Sequence, residues 1–195
     1  MAINSLDYVD DARAGTDPGL FLEPPAPAPA DWSTTPPWFD EAGWVLPMGG
    51  FLVRTEGRTV LIDAGIGPDT NTMMAGLDTP PSFEYSSELL NSLAALNVTP
   101  DEVTDVVLTH LHFDHIGWIA PRGEPVFPHA RHVCHRGDIE RMRADSGGDR
   151  AWAGVRGHVD AVSDLLVVAD AERTEVADGV APTAVRGTQP RQLRD

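Results

Sequence analysis

The spacing of apolar positions changes several times along the chain, and each change marks an element. Phe51 to Val53 form an apolar segment, Glu56 and Gly57 a turn, and Thr59 to Ile62 a second β-rich segment, which together predict a hairpin. Glycines at 65 and 67 stop the second strand. Leu89, Leu90, Leu93 and Leu96 recur at helical spacing and predict a helix from about Ser86 to Leu96, with Asn97 and Pro100 at its exit. Val106, Val107 and Leu108 form a short continuous apolar run, the pattern of a strand buried on both faces. Beyond it, "PVFPHARHVCH" predicts another strand, "RGDIERMRAD" a helical start, and "DLLVVADAERTEVADGV" further strand and turn. Strands alternate with helices without an internal repeat, so the chain is expected to be α/β.

The stretch from about Pro18 to Pro47 breaks the alternation. It is rich in proline, as in "FLEPPAPAPADWSTTPPWFD", and a residue without a backbone donor suits neither helix interiors nor central strands. Residues 1–47 are therefore expected to form an arm, partly pinned to the domain by Phe21, Trp32, Trp38, Phe39 and Trp44. The domain proper is expected over 48–183, and 184–195 form an atypical tail. At 195 residues the chain is long enough for one domain with a sizeable core.

Charge narrows the partners. Thirty acidic against fourteen basic residues give −16, which repels phosphate backbones and anionic lipid surfaces. A small-molecule substrate is expected, with no nucleic acid and no membrane, and self-association into a homo-oligomer is left open. Cys134 is the only cysteine, so no internal disulfide forms. The opening "MAINSLDYVDDARAG" has neither a basic leader nor an apolar core, and the expected location is cytoplasmic.

The densest chemistry lies in "LTHLHFDHIG", where His110, His112 and His115 crowd around Asp114 directly after the apolar run. Protonated imidazoles repel one another, so such crowding is unfavourable without a shared positive partner. A metal ion supplies one. On an extended segment His110 and His112 face the same way, while a turn at Phe113 and Asp114 swings the carboxylate and His115 to a neighbouring point. The spacing suggests two adjacent metal sites. Imidazole nitrogen and carboxylate oxygen without thiolate suit zinc first, with iron, manganese or cobalt compatible. Zinc with one open position lowers the pKa of bound water to about 7, which is hydrolytic machinery.

These residues resemble the metallo-β-lactamase superfamily, whose His-x-His-x-Asp-His signature is matched by His110, His112, Asp114 and His115. "FLVRTEGRTVLIDAGIG" resembles the family's early hairpin ending in Asp-x-Gly, and "FPHARHVCHRGDIE" the strand and helix after the motif. The resemblance implies an αββα sandwich of two sheets with the metals at one edge, and hydrolysis of esters, lactones, thioesters, phosphoesters or amides. It implies that His110 and His112 bind a first zinc and Asp114 with His115 a second. Asp114 would also steer the attacking water, and Asp63 would orient a ligand histidine through a hydrogen bond. "PPWF" and "HFDHIGW" resemble the lactonase and organophosphate-hydrolase-like branch, in which Trp44 and Trp118 would serve as pocket wall or packing.

The family's later ligands, a histidine in a "PTPGHTPGH" loop, a bridging aspartate and a final histidine, have no match here. After "VADGVAPT" the chain reads "AVRGTQPRQLRD", so the sandwich is expected to be incomplete at the C-terminus. One choice of codons for "VRGTQP", read two bases later, encodes Pro-Gly-His-Thr-Ala, and a frame shift near Ala184 is the expected origin of the tail. Three readings follow: a zinc-type hydrolase of a small ester, lactone or phosphoester; a weakly active or inactive metal-binding remnant; and a mononuclear iron persulfide dioxygenase. His129, His132, His135 and His158 are expected to be structural or surface groups, and Cys134 a buried small residue.

Overall fold

A computed structural model describes residues 3–16, 39–40, 43–69, 82–144, 154–170, 173–177 and 179–182. The hairpin expected from the 51–62 pattern lies at the centre of a mixed sheet. Its strands are β3 (Gly43–Thr55) and β4 (Arg58–Ile62), joined at Glu56 and Gly57, where Gly57 takes a φ of +80°. On one side β3 pairs antiparallel with β1 (Ser5–Thr16), and the short β2 (Phe39–Asp40) pairs with its start. The remaining strands are β5 (Ser82–Tyr85), β6 (Asp105–Val107), β7 (Arg131–His135) and β8 (Leu166–Ala169), giving the order β5-β1-β3-β4-β6-β7-β8. From β4 to β8 the neighbours are parallel, and all three residues of β6 are buried, as a strand covered on both faces requires.

Residues 5–16 were expected to belong to an arm and instead form a sheet strand. Pairing with β3 along most of its length buries Val9, Ala12 and Ala14, while acidic residues between them hide the alternation. Residues 39–40 and 43–47 of the expected arm likewise belong to strands β2 and β3, while 1–2, 17–38 and 41–42, and the expected tail, 184–195, lie outside the described residues. Four helices complete the framework: α1 (Leu89–Ala95), α2 (Phe113–Ile116), α3 (Arg136–Ala144) and α4 (Val155–Ala161). Helix α1 begins three residues later than its leucine spacing predicts, because β1 supplies its first acceptors: Glu88 N donates to the Asp11 carbonyl and Leu89 N to the Asp11 carboxylate.

One face of the sheet, with Leu52, Leu61, Val106 and Cys134, packs against Leu93, Ile116, Met142 and Val159 of the helices. The other face, with Val53, Val60, Val107 and Val133, is partly covered by Val176, Ala177 and Val180. Among the described residues this is one sheet with helices on one face; a second sheet of the expected sandwich is not among them. No helix of the described residues is long and apolar enough to cross a membrane. At the amino ends of the parallel strands, buried Asp105 is clamped by Arg58 and Arg131, at 2.5 and 2.6 Å. Their carboxyl ends carry the histidine cluster, the place where open parallel sheets present ligand sites.

Candidate metal centre

Two segments build the site. The loop leaving β4 turns at Asp63, whose φ of +59° is a left-handed conformation that a short polar side chain tolerates. The loop is bonded first to the end of β6, Asp63 N to Val107 O at 2.9 Å, and then to the segment around α2: Ala64 N to His115 O at 2.7 Å, Gly117 N to Gly65 O at 2.8 Å, and Trp118 N to Ala64 O at 3.0 Å. Glycine is required at 117, because a Cβ there would lie 1.9 Å from Ile66 O. The turn expected at Phe113 and Asp114 is the single helical turn α2.

Asp63 accepts bonds on both oxygens. Oδ1 accepts Thr109 N at 2.8 Å and Oδ2 accepts His115 Nδ1 at 2.8 Å, while the Thr109 hydroxyl lies 3.0 and 2.8 Å from the two oxygens. A carboxylate has no proton to give, so the hydroxyl donates to it and keeps its lone pairs for His110 Nδ1, 3.1 Å away. Both rings are thereby held through Nδ1, with each Nε2 facing another member of the cluster. His110 Nε2 lies 3.1 Å from His112 Nδ1, His115 Nε2 lies 3.5 Å from Asp114 Oδ2, and the His110 and His115 ring centroids are 4.0 Å apart.

The electrostatics keep the rings unlike. Burial, with His115 and His112 nearby, pushes the His110 pKa down to about 4, so this ring is neutral at physiological pH. For His115, burial also opposes the charge, but the bond to Asp63 and the charges of Asp114 and Asp63 outweigh it and the pKa is raised. Imidazoles oriented from behind, with their second nitrogens turned toward other members of the cluster, are the donor set a divalent cation takes once the rings are deprotonated. The residues fit the group by that chemistry. They meet in pairs: no group of three His, Cys, Asp or Glu among the described residues is arranged around a single point.

The family profile described as the Metallo-beta-lactamase superfamily matches residues 50–182. The chain belongs to this superfamily. Among curated superfamily relatives, N-acyl homoserine lactonase AiiB of Rhizobium rhizogenes is 31% identical over 80 residues, covering 38% of this chain and 29% of that protein. The acyl-coenzyme A thioesterase MBLAC2 of Bos taurus is 31% identical over 139 residues, covering 66% and 46%. A solved structure described as a probable metal-dependent hydrolase from Staphylococcus aureus superposes with a TM-score of 0.69 at 23% identity, over 93% of this chain and 64% of that one, and shows the shared fold. The chain thus spans less than two thirds of the length of each.

Of the residues named from sequence, His110, His112, Asp114, His115 and Asp63 are together in the structure. His132 and Cys134 lie in the core, with the Cys134 thiol pushed up to about 12 by burial, while His135 is only partly buried at the end of β7. His158 is also buried, on α4. Trp118 is packing: it is 8% exposed and donates Nε1 to Asp11 Oδ1 at 2.7 Å. Sequence reasoning missed Thr109 and Asp11. A hydroxyl beside the first histidine was the available signal for Thr109; for Asp11 there was none, because its partners come from three distant segments.

Proposed function

We propose that the protein is a metal-dependent hydrolase, zinc being the first candidate ion, acting on a small ester or lactone, with phosphoesters in the same chemical range. The observation that carries this reading is the pair of imidazoles anchored through Nδ1, His115 by Asp63 and His110 by Thr109, with their Nε2 atoms facing Asp114 and His112 at the carboxyl end of the parallel strands. His110 and His112 would hold one ion, and Asp114 with His115 a second. Such an ion supplies Lewis acidity to the scissile group and acidifies water.

The chain's own residues then divide the remaining work. Asp63 fixes the His115 tautomer and stabilises positive charge on that ring. Thr109 relays the same carboxylate to His110. Asp114, whose side chain is 33% exposed, stands where it can accept a proton from an attacking water. Lactonase and thioesterase activities of the superfamily relatives support an acyl substrate.

The test is turnover of a short-chain lactone, a nitrophenyl ester and a nitrophenyl phosphate by the zinc-supplemented chain. We expect chelator-sensitive hydrolysis of one acyl substrate, and a fall in kcat of about a hundredfold or more in Asp114→Asn. No turnover of any of the three, with zinc bound, would overturn the reading.

A further inference from the structure

We propose that Asp11 is the positioning residue that sets the His115–Asp63 pair and, through it, the hold of the histidine cluster on a divalent cation. The second half of this inference rests on the function proposed above; the first half does not.

The register between β1 and β3 shifts between Asp10 and Ala12, and Asp11 is the extra residue of that bulge. Bulges re-aim side chains, and here the carboxylate is turned inward until the residue is 0% exposed. Oδ2 accepts Ile66 N at 2.7 Å and Gly67 N at 3.0 Å; Oδ1 accepts Trp118 Nε1 at 2.7 Å and Leu89 N at 3.0 Å. Four N–H donors occupy the acceptor sites of the carboxylate and offset its removal from water.

Two of the three segments so joined are those that build the site. Ile66 and Gly67 continue the loop that starts at Asp63, and Trp118 follows directly on the segment that carries His115. Little slack separates them. A Cβ on Gly65 would lie 2.3 Å from Asp11 Oδ2, one on Gly67 2.3 Å from Gly117 O, and one on Gly117 1.9 Å from Ile66 O. A displacement at Asp11 is therefore transmitted to the loop and to α2 together, and changes the 2.8 Å bond between His115 Nδ1 and Asp63.

Asparagine has one acceptor oxygen, and its amide would face two N–H donors, so Asp11→Asn releases either the loop or Trp118. Asp105→Asn serves as the control, because Asp105 is equally buried but lies at the opposite ends of the strands. In full-length protein, the hydrogen-bonded Nδ1 proton of His115 is read by imidazole NMR without metal, and zinc affinity by calorimetric titration. Asp11→Asn is expected to displace the His115 resonance and weaken zinc binding about tenfold or more, whereas Asp105→Asn loses stability and leaves both where they are. An unmoved His115 resonance in Asp11→Asn, or an equal displacement in the control, overturns the proposal. If the wild-type chain binds no zinc, the proposed function fails while the resonance still decides the role of Asp11. Should Asp11→Asn not fold, Trp118→Phe removes one of the four donors. A smaller displacement of the His115 resonance is then expected, and none would overturn the inference.

Discussion

Asp63 concentrates the site's demands on one residue. Its left-handed backbone, at φ +59°, costs about 1–2 kcal/mol in a residue with a Cβ, and the bonds from Thr109 and His115 hold it there. Asparagine tolerates the same backbone but cannot carry the negative charge that supports His115. Asp63→Asn is therefore expected to lower zinc affinity about ten- to hundredfold and, because its amide would face one of the donors now on the carboxylate, to cost about 1–3 kcal/mol of folding stability, as calorimetric titration and denaturant melts would show. Equal affinity would mean that His115 needs no orientation. Thr109→Val keeps the branched shape and removes the hydroxyl between Asp63 and His110. Losing that link is expected to cost about 1 kcal/mol of stability and to broaden the His110 ring signal in the NMR spectrum.

Elements differ in how much of themselves the sequence shows. The β3–β4 hairpin and β6 were legible because local period and turn residues specify them: a two-residue turn ending in Gly57, and an unbroken apolar run at Val106 and Val107. The clustering of His110, His112, Asp114 and His115 was legible for the same reason, since four residues within six positions need no distant partner. Strand β1 was not. Its register to β3 is set about forty residues away, and the bulge at Asp11 interrupts the period of two that would have revealed it. The start of α1 was misplaced for a related cause, because its first backbone donors are satisfied by that same strand. Contact between the loop after β4 and α2 is the most sensitive element-level joint. Gly117→Ala places a methyl 1.9 Å from Ile66 O and is expected to destabilise the fold by about 2–3 kcal/mol in urea melts. A loss of under half that would show that the two segments can part without cost.

Over the whole molecule, the parallel strands have unlike ends: an acid clamped by two arginines at one, and imidazoles anchored through Nδ1 at the other. Away from both, His132 couples global stability to pH. Its ring is fully buried, Nδ1 bonds Ala130 O at 3.2 Å, Nε2 has no hydrogen-bond partner, and burial pushes the pKa from 6.5 down to about 4. The unfolded chain takes up this proton first, so the contribution is complete above pH 6.5, declines as pH falls, and levels off below about 4. The loss is about 3 kcal/mol across that window, measurable as a shift in urea midpoint between pH 7.5 and 4.5 that is smaller in His132→Leu. An identical shift in the variant would assign the effect to other groups. The cluster's purpose is tested most directly by elemental analysis of the purified chain beside a His110→Ala, His112→Ala double variant. The account predicts bound transition metal, zinc first, in the wild type and its loss in the variant; equal content in the two, or none in either, would contradict it.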